Sequence, residues 1–266
     1  MNLDQVTLPL FVPASRMDLY AKAATTGADA IIVDLEDAVT HQDKDAARAA
    51  LVEDLPRDQH VPTLVRINAA DSPWFEADIA ACRDLRLTAL MLPKAENPDV
   101  CAALSDRTGL PVVGLVETAL GLFHADAIAA ACARLAFGSI DFAADLGLAH
   151  EQTPLLHARA VLVLAARLAG QAAPWDGVTV EVNDVDKILQ DCRHSVAMGM
   201  GGKLLIHPAQ LETARRGFAP TDTEREWATR VIAVTEGSTA AVKMDGQMVD
   251  APVIARARAI LARVAA

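Results

Sequence analysis

Apolar residues recur along the chain in short runs, each ending in polar residues and followed by an alanine-rich stretch of helical spacing. The runs span residues 7–13, 28–33, 61–67, 89–92, 112–116, 135–138, 177–182 and 203–206. Helical stretches fill the gaps: 15–26 with Ser15 as its cap, 42–55, one opened by Ser72-Pro73, one opened by Asn97-Pro98, 153–169, and 184–198 capped by Asp184. Eight strand–helix repeats predict an α/β fold, the parallel (β/α)8 barrel known as the TIM barrel. An open doubly wound sheet is the alternative, but no Gly-x-Gly-x-x-Gly turn follows the first strand. Beyond residue 217 the pattern changes to helices over 221–234 and 252–264, joined by a polar connection over 243–250. The reading is therefore a barrel over 1–218 and a C-terminal helical extension over 219–266, packing on the barrel or on a neighbouring subunit.

Composition narrows this picture. Apolar residues make up 52% of the chain and aromatics only 4%, so the core is aliphatic, as suits a parallel sheet covered by helices. A net charge of −11 argues against nucleic acid as a partner, since a phosphate backbone needs a basic surface. No apolar run reaches the length of a membrane span, and no signal core follows the N-terminus. Cys82, Cys101, Cys132 and Cys192 show no Cys-x-x-Cys spacing and read as free thiols of a reducing compartment. The expectation is a cytoplasmic protein with no membrane contact.

A barrel enzyme draws its site from the C-terminal ends of its strands. Those ends carry Arg16, Asp34, Glu36, Asp37, Arg66, Asn68, Lys94, Glu117, Asp141, Asp145, Asn183 and His207. Glu117 and Asp141 are 24 residues apart, one strand–helix–strand step, so adjacent strands aim both into one cleft. Two readings stand: the pair binds a divalent cation such as magnesium, which relieves their repulsion, or each acid caps a helix or pairs with a base. Arg66 either forks onto a substrate carboxylate or forms a salt bridge to the acidic knot Asp34, Glu36 and Asp37. An acid of that knot is a general-base candidate. His207 either serves the site or caps the next helix.

Nucleophile chemistry finds little support. No Gly-x-Ser-x-Gly elbow is present, the cysteines fall in helices, and Lys94 follows Pro93 in a turn rather than sitting inside a strand. By elimination, the set favours metal-assisted carbon–carbon cleavage or formation through an enolate.

Seven segments then resemble one family in order: LFVPASR (10–16), GADAIIVDLEDAV (27–39), LVRINAADSPWF (64–75), GLVETALGL (114–122), FGSIDFAADLG (137–147), GGKLLIHPAQL (201–211) and MVDAPVIARARAIL (248–261). They are similar to the citrate lyase β-subunit-like enzymes of the HpcH/HpaI aldolase superfamily. The resemblance implies cleavage or formation of a 3-hydroxyacyl-CoA such as malyl-, citramalyl- or citryl-CoA, giving a keto acid and an acyl-CoA enolate. It implies Mg2+ on Glu117 and Asp141, leaving Asp145 to cap or support. It gives Arg66 to the keto-acid oxygens, with Glu36 and Asp37 near the metal water. Asp250 becomes an acid/base given across a subunit interface, and Arg16 with Lys203 to His207 falls to the CoA region. A homo-oligomer, trimer or hexamer, is implied. Two other functions stand beside this one: a citrate lyase β subunit acting on an acyl carrier protein thioester, and a non-catalytic barrel used for binding or assembly. One departure is Pro13-Ala14-Ser15-Arg16, where the family often has Pro-Gly-Asp-Arg.

Overall fold

The computed structural model describes residues 3–235 and 242–263. Eight parallel strands run in sequence order: β1 Pro9–Pro13, β2 Ala30–Asp34, β3 Thr63–Arg66, β4 Ala89–Leu92, β5 Val112–Val116, β6 Arg134–Phe137, β7 Trp175–Asp176 and β8 Gly202–Lys203. The sheet closes on itself. Lys203 N donates to Thr7 O, Leu205 N to Pro9 O and Phe11 N to Leu205 O, each at 2.9 Å. Closure requires glycine at 202, because a Cβ there would stand 2.1 Å from Thr7 O. The (β/α)8 barrel read from the repeats is the fold observed.

Helices follow the strands: α1 Tyr20–Ala24, α2 Lys44–Asp54, α3 Phe75–Cys82, α4 Pro98–Thr108, α5 Ala119–Phe123, α6 Ala125–Ala131, α7 Ser139–Leu146, α8 Leu156–Leu168 and α9 Val185–Ala197. All residues of β2 and β5 are buried, which explains why both are aliphatic on each face. The barrel interior packs Ile32, Leu64, Met91, Val113, Leu115, Ala136 and Trp175. No described helix is long and apolar enough to cross a membrane.

Arg134 is buried where β6 begins. Its Nη1 donates to Leu3 O and Val6 O at 2.6 and 2.7 Å, and its Nη2 to Ala173 O at 2.7 Å. The guanidinium lies 4.6 Å from the Trp175 ring, whose Nε1 donates to Val6 O at 2.8 Å. These bonds pin residues 3–6 across the start of the strands. Burial lowers the Arg134 pKa to about 10, which leaves it charged at neutral pH.

The chain divides into two compact units, 1–214 and 215–266. In the second, α11 Asp222–Thr235 and α12 Ala251–Ala262 enclose Ala228, Val231, Val249, Ala257 and Ile260. α10 Leu211–Phe218 straddles the division.

Three sequence readings need correction. The seventh strand is 175–176, not 177–182: Trp175 fills the barrel interior and pairs with Ala136 and Gly202, so the alternation beyond it belongs to a loop at the rim. Ser15 caps nothing; residues 14–19 form a 3-10 turn broken at Arg16, with Ala14 and Met17 buried three residues apart on one side. The connection over 243–250 contains a hairpin, β9 Val242–Met244 and β10 Gln247–Val249. Asp245 and Gly246 both have positive φ (50° and 81°), which makes the tight turn that Asp-Gly favours.

Replacing Arg134 by Met keeps the stem but removes its donors from Ala173 O, Leu3 O and Val6 O, of which Leu3 O keeps Val6 N and Val6 O keeps Trp175 Nε1. We expect a stability loss on the order of 3 kcal/mol, measured as a shift of the urea midpoint. An unchanged midpoint would remove Arg134 from its structural role.

A candidate active site lined by carboxylates

A cavity of about 360 Å3 opens at the C-terminal ends of the strands, lined by Phe11, Asp34, Asp37, Arg66, Glu117 and Asp141 among others. The strand register builds its first wall. Asp34 ends β2 directly beside Arg66, which ends β3. Arg66 Nε and Nη2 donate to the two Asp34 oxygens at 2.7 and 2.6 Å. The same oxygens accept Glu36 N at 2.9 Å and Ala38 N at 3.2 Å. This bends the chain back so that Glu36 and Asp37 meet Nη1 of Arg66 at 2.9 and 3.4 Å. The Phe11 ring lies 4.9 Å from the guanidinium carbon. Burial alone would lower the Arg66 pKa, but Asp34, Glu36 and Asp37 together hold it above the usual arginine range. The salt bridge to the acidic knot is thus the arrangement present, with Arg66 still facing the cavity.

Glu117 forms the opposite wall. Its Oε1 accepts the Lys94 amide at 2.8 Å, and Lys94 holds a positive φ of 45° that turns this N–H inward. Its Oε2 fits only because residue 138 is glycine: a Cβ there would lie 2.3 Å away. Burial, then the charge of Glu36, pushes the Glu117 carboxyl up to about 8. Asp141 sits in the first turn of α7 and is also raised, by partial burial and then by Asp37. Burial first, then Asp37 and Asp34, pushes Glu36 up to about 7 against the pull of Arg66. The Glu36 Oε2 is buried and receives no well-directed hydrogen bond, although Arg66 Nη1 is 2.9 Å away.

These acids outnumber the cation they share. A divalent ion held by Glu117 and Asp141 would favour their ionised forms against the burial that raises both. Among the described residues no group of three or more His, Cys, Asp or Glu forms a closed cage. Two carboxylates beside an open cavity instead suit magnesium, which keeps water and takes substrate oxygens.

The remaining sequence candidates lie elsewhere. Asp145 accepts Ala119 N at 2.7 Å, at the start of α5. Arg16 is exposed and paired with Asp18 at 2.8 Å. Lys203 is buried, donates to Gly177 O and is not part of the lining of this cavity. His207 is exposed and its Nδ1 accepts Ala209 N at 3.1 Å, capping the turn Pro208–Gln210. Leu204 and Ile206, between these two residues, line the cavity, while the Lys203 ammonium meets a carbonyl and the His207 ring caps a turn. Asp250 lies in the second unit as the exposed N-cap of α12, accepting Val253 N at 3.3 Å. Sequence reading passed over Gly138, Phe11 and Ser139. Only Gly138 left a trace, a glycine at a strand end level with an acid.

Comparison with known proteins gives a consistent result. The model of the family HpcH/HpaI aldolase/citrate lyase matches residues 7–208. A citrate lyase subunit beta-like protein of Deinococcus radiodurans is 37% identical, covering 95% of each chain. A (3S)-malyl-CoA thioesterase of Cereibacter sphaeroides is 36% identical over 96% of this chain and 93% of its own. Among solved structures, the protein CitE of Mycobacterium tuberculosis in complex with magnesium, acetoacetate and coenzyme A superposes with a TM-score of 0.89 at 34% identity, covering 99% of this chain and 100% of that one.

The raised carboxyls have a pH signature. Glu117 keeps its proton in the folded state up to about 8, whereas the unfolded chain releases it near 4.5. The folded state binds more protons in that window, so its stability is fully present below the unfolded value and is lost as pH rises toward 8. In buffer stripped of divalent cations we expect the urea midpoint to fall between pH 5 and about 8. Glu117→Gln should flatten that slope; an equal slope would refute the raised pKa.

Proposed function

The chain belongs to the HpcH/HpaI aldolase/citrate lyase family, and from that premise we propose that it is a magnesium-dependent carbon–carbon lyase acting on a 3-hydroxyacyl-CoA. The observation that carries this reading is one cavity holding Glu117 and Asp141 on one side and Arg66 on the other. Support for the cofactor and substrate class comes from the tuberculosis protein, whose complex contains magnesium, acetoacetate and coenzyme A.

Glu117 and Asp141 would hold the magnesium. When bound, the ion supplies Lewis-acid polarisation of keto-acid oxygens. Arg66, oriented by Asp34, presents Nη1 to the cavity and stabilises the oxygen on which charge changes during bond cleavage. A substrate carboxylate displaces Glu36 and Asp37 from that nitrogen, and either acid is then placed to take the hydroxyl proton. Cleavage gives a keto acid and a thioester enolate. Asp250 of a neighbouring copy is the first candidate to protonate the enolate, and Asp37 the second. That role for Asp250 calls for a homo-oligomer as the working form, a trimer or hexamer by analogy with the family. Phe11, Leu115 and Phe137 give the cavity apolar sides that exclude water.

A second reading has the same chemistry on a carrier-protein thioester, favoured by likeness to a citrate lyase subunit beta-like protein. Paired assays of malyl, citramalyl and citryl groups on free CoA and on an acyl carrier protein separate the two. Release of free thiol without keto acid would instead indicate hydrolysis.

Glu117→Gln and Asp141→Asn should each lower turnover at least about 100-fold and weaken magnesium binding in calorimetric titration. Full retention of both properties in both variants would overturn the metal assignment. Arg66→Lys keeps the charge and loses the fork, so we expect a loss of roughly 100-fold in kcat/KM, read from initial rates.

A further inference from the structure

Lys44 opens α2 and is almost fully buried. A cation is poorly placed at a helix N-terminus, where the backbone dipole favours negative charge. Burying an ammonium adds a desolvation cost, which lowers the Lys44 pKa although Asp34, Glu36 and Asp78 pull the other way. Nothing in the helix itself accounts for a lysine here.

Its contacts do. Nζ donates to Leu35 O, Glu36 O and the Asn68 Oδ1, each at 2.7 Å, which uses all three ammonium protons on neutral oxygens. Asn68 is fixed in turn: its Nδ2 donates to Leu35 O at 3.1 Å and to Asp78 Oδ2 at 2.6 Å, and its backbone N–H reaches the same oxygen at 2.9 Å. The Trp74 ring lies 5.3 Å from Nζ. Leu35 and Glu36 belong to the bend that presents Glu36 and Asp37 to Arg66. That bend is held by its amides on Asp34 and by its carbonyls on Lys44.

We propose that Lys44, braced by Asn68, is a positioning residue that sets the Glu36 and Asp37 carboxylates for catalysis without touching substrate. The inference rests on the lyase reading for its kinetic part only. Lys44→Met removes the three donors and keeps the apolar stem. We expect kcat per folded molecule to fall roughly 10- to 100-fold with KM changed less than about threefold, because misplaced acids cost chemistry more than binding. Amide hydrogen exchange of a peptide spanning 34–38 should quicken, while a peptide around 112–116 keeps its rate. A purely structural lysine would lower the urea midpoint and leave kcat of the folded fraction unchanged, and that result overturns the proposal; so does unchanged exchange at 34–38. If Lys44→Met does not fold, Asn68→Ala removes one acceptor and the link to Asp78, and the same two readouts apply with a smaller loss in kcat. Absence of turnover in the wild type on every thioester would refute the lyase reading, while the exchange measurement would still decide the clamp.

Discussion

The Asp34–Arg66 pair determines the geometry of the candidate site. Parallel register places the two residues side by side at the ends of β2 and β3, and the fork of the guanidinium fixes their relative orientation. Asp34 also accepts two backbone amides from the following bend, so the direction of Arg66 and the path of residues 35–38 are set together. Removing Asp34 would leave a buried arginine half-paired and a loop without its anchor, so one substitution would disturb both stability and the cavity wall.

Glu36 and Asp37 share the Arg66 guanidinium with Asp34, and Glu117 and Asp141 line the same cavity as that pair. Like charges in a low-dielectric site repel, and burial disfavours each of them further. The structure handles this by placing carboxyls where burial and neighbouring charge favour the protonated form, Glu117 at about 8 and Glu36 at about 7. The backbone is adapted to hold them there: Lys94 accepts a left-handed conformation to donate to Glu117, and residue 138 carries no side chain. Such backbone features cluster where a ligand would use them.

The barrel was legible in the sequence because its strands are buried on both faces and read as continuous aliphatic runs, β2 and β5 above all. The acids at 34–37, 117 and 141 were legible because strand ends convert directly to positions on one barrel face. What failed was anything set by contacts distant in sequence. β7 reduces to two residues because Trp175 must fill the interior, a demand the alternation at 178–182 conceals. Lys203 opens the apolar run 203–206, and nothing in that run reveals that its ammonium donates to Gly177 O. Arg134 reads as an ordinary helix-to-strand charge until its partners in residues 3–6 are known.

The same distinction explains why the clamp at Lys44 was invisible. Its helix begins Lys-Asp-Ala-Ala-Arg, which reads as a solvated surface, and its hydrogen-bond partners lie in two other segments, at 35–36 and 68. Local propensity argues against a lysine at that position, so only a tertiary requirement accounts for it. Sites of this kind are where local and global preferences conflict. Here the conflict lies on the far side of the bend from the cavity, which separates the residues that hold the acids from those that would meet substrate. The bend that carries the acids is thus held on one side by Asp34 and on the other by neutral carbonyls on an ammonium, and the charge balance inside the cavity is left to Arg66 and to any cation that Glu117 and Asp141 would hold.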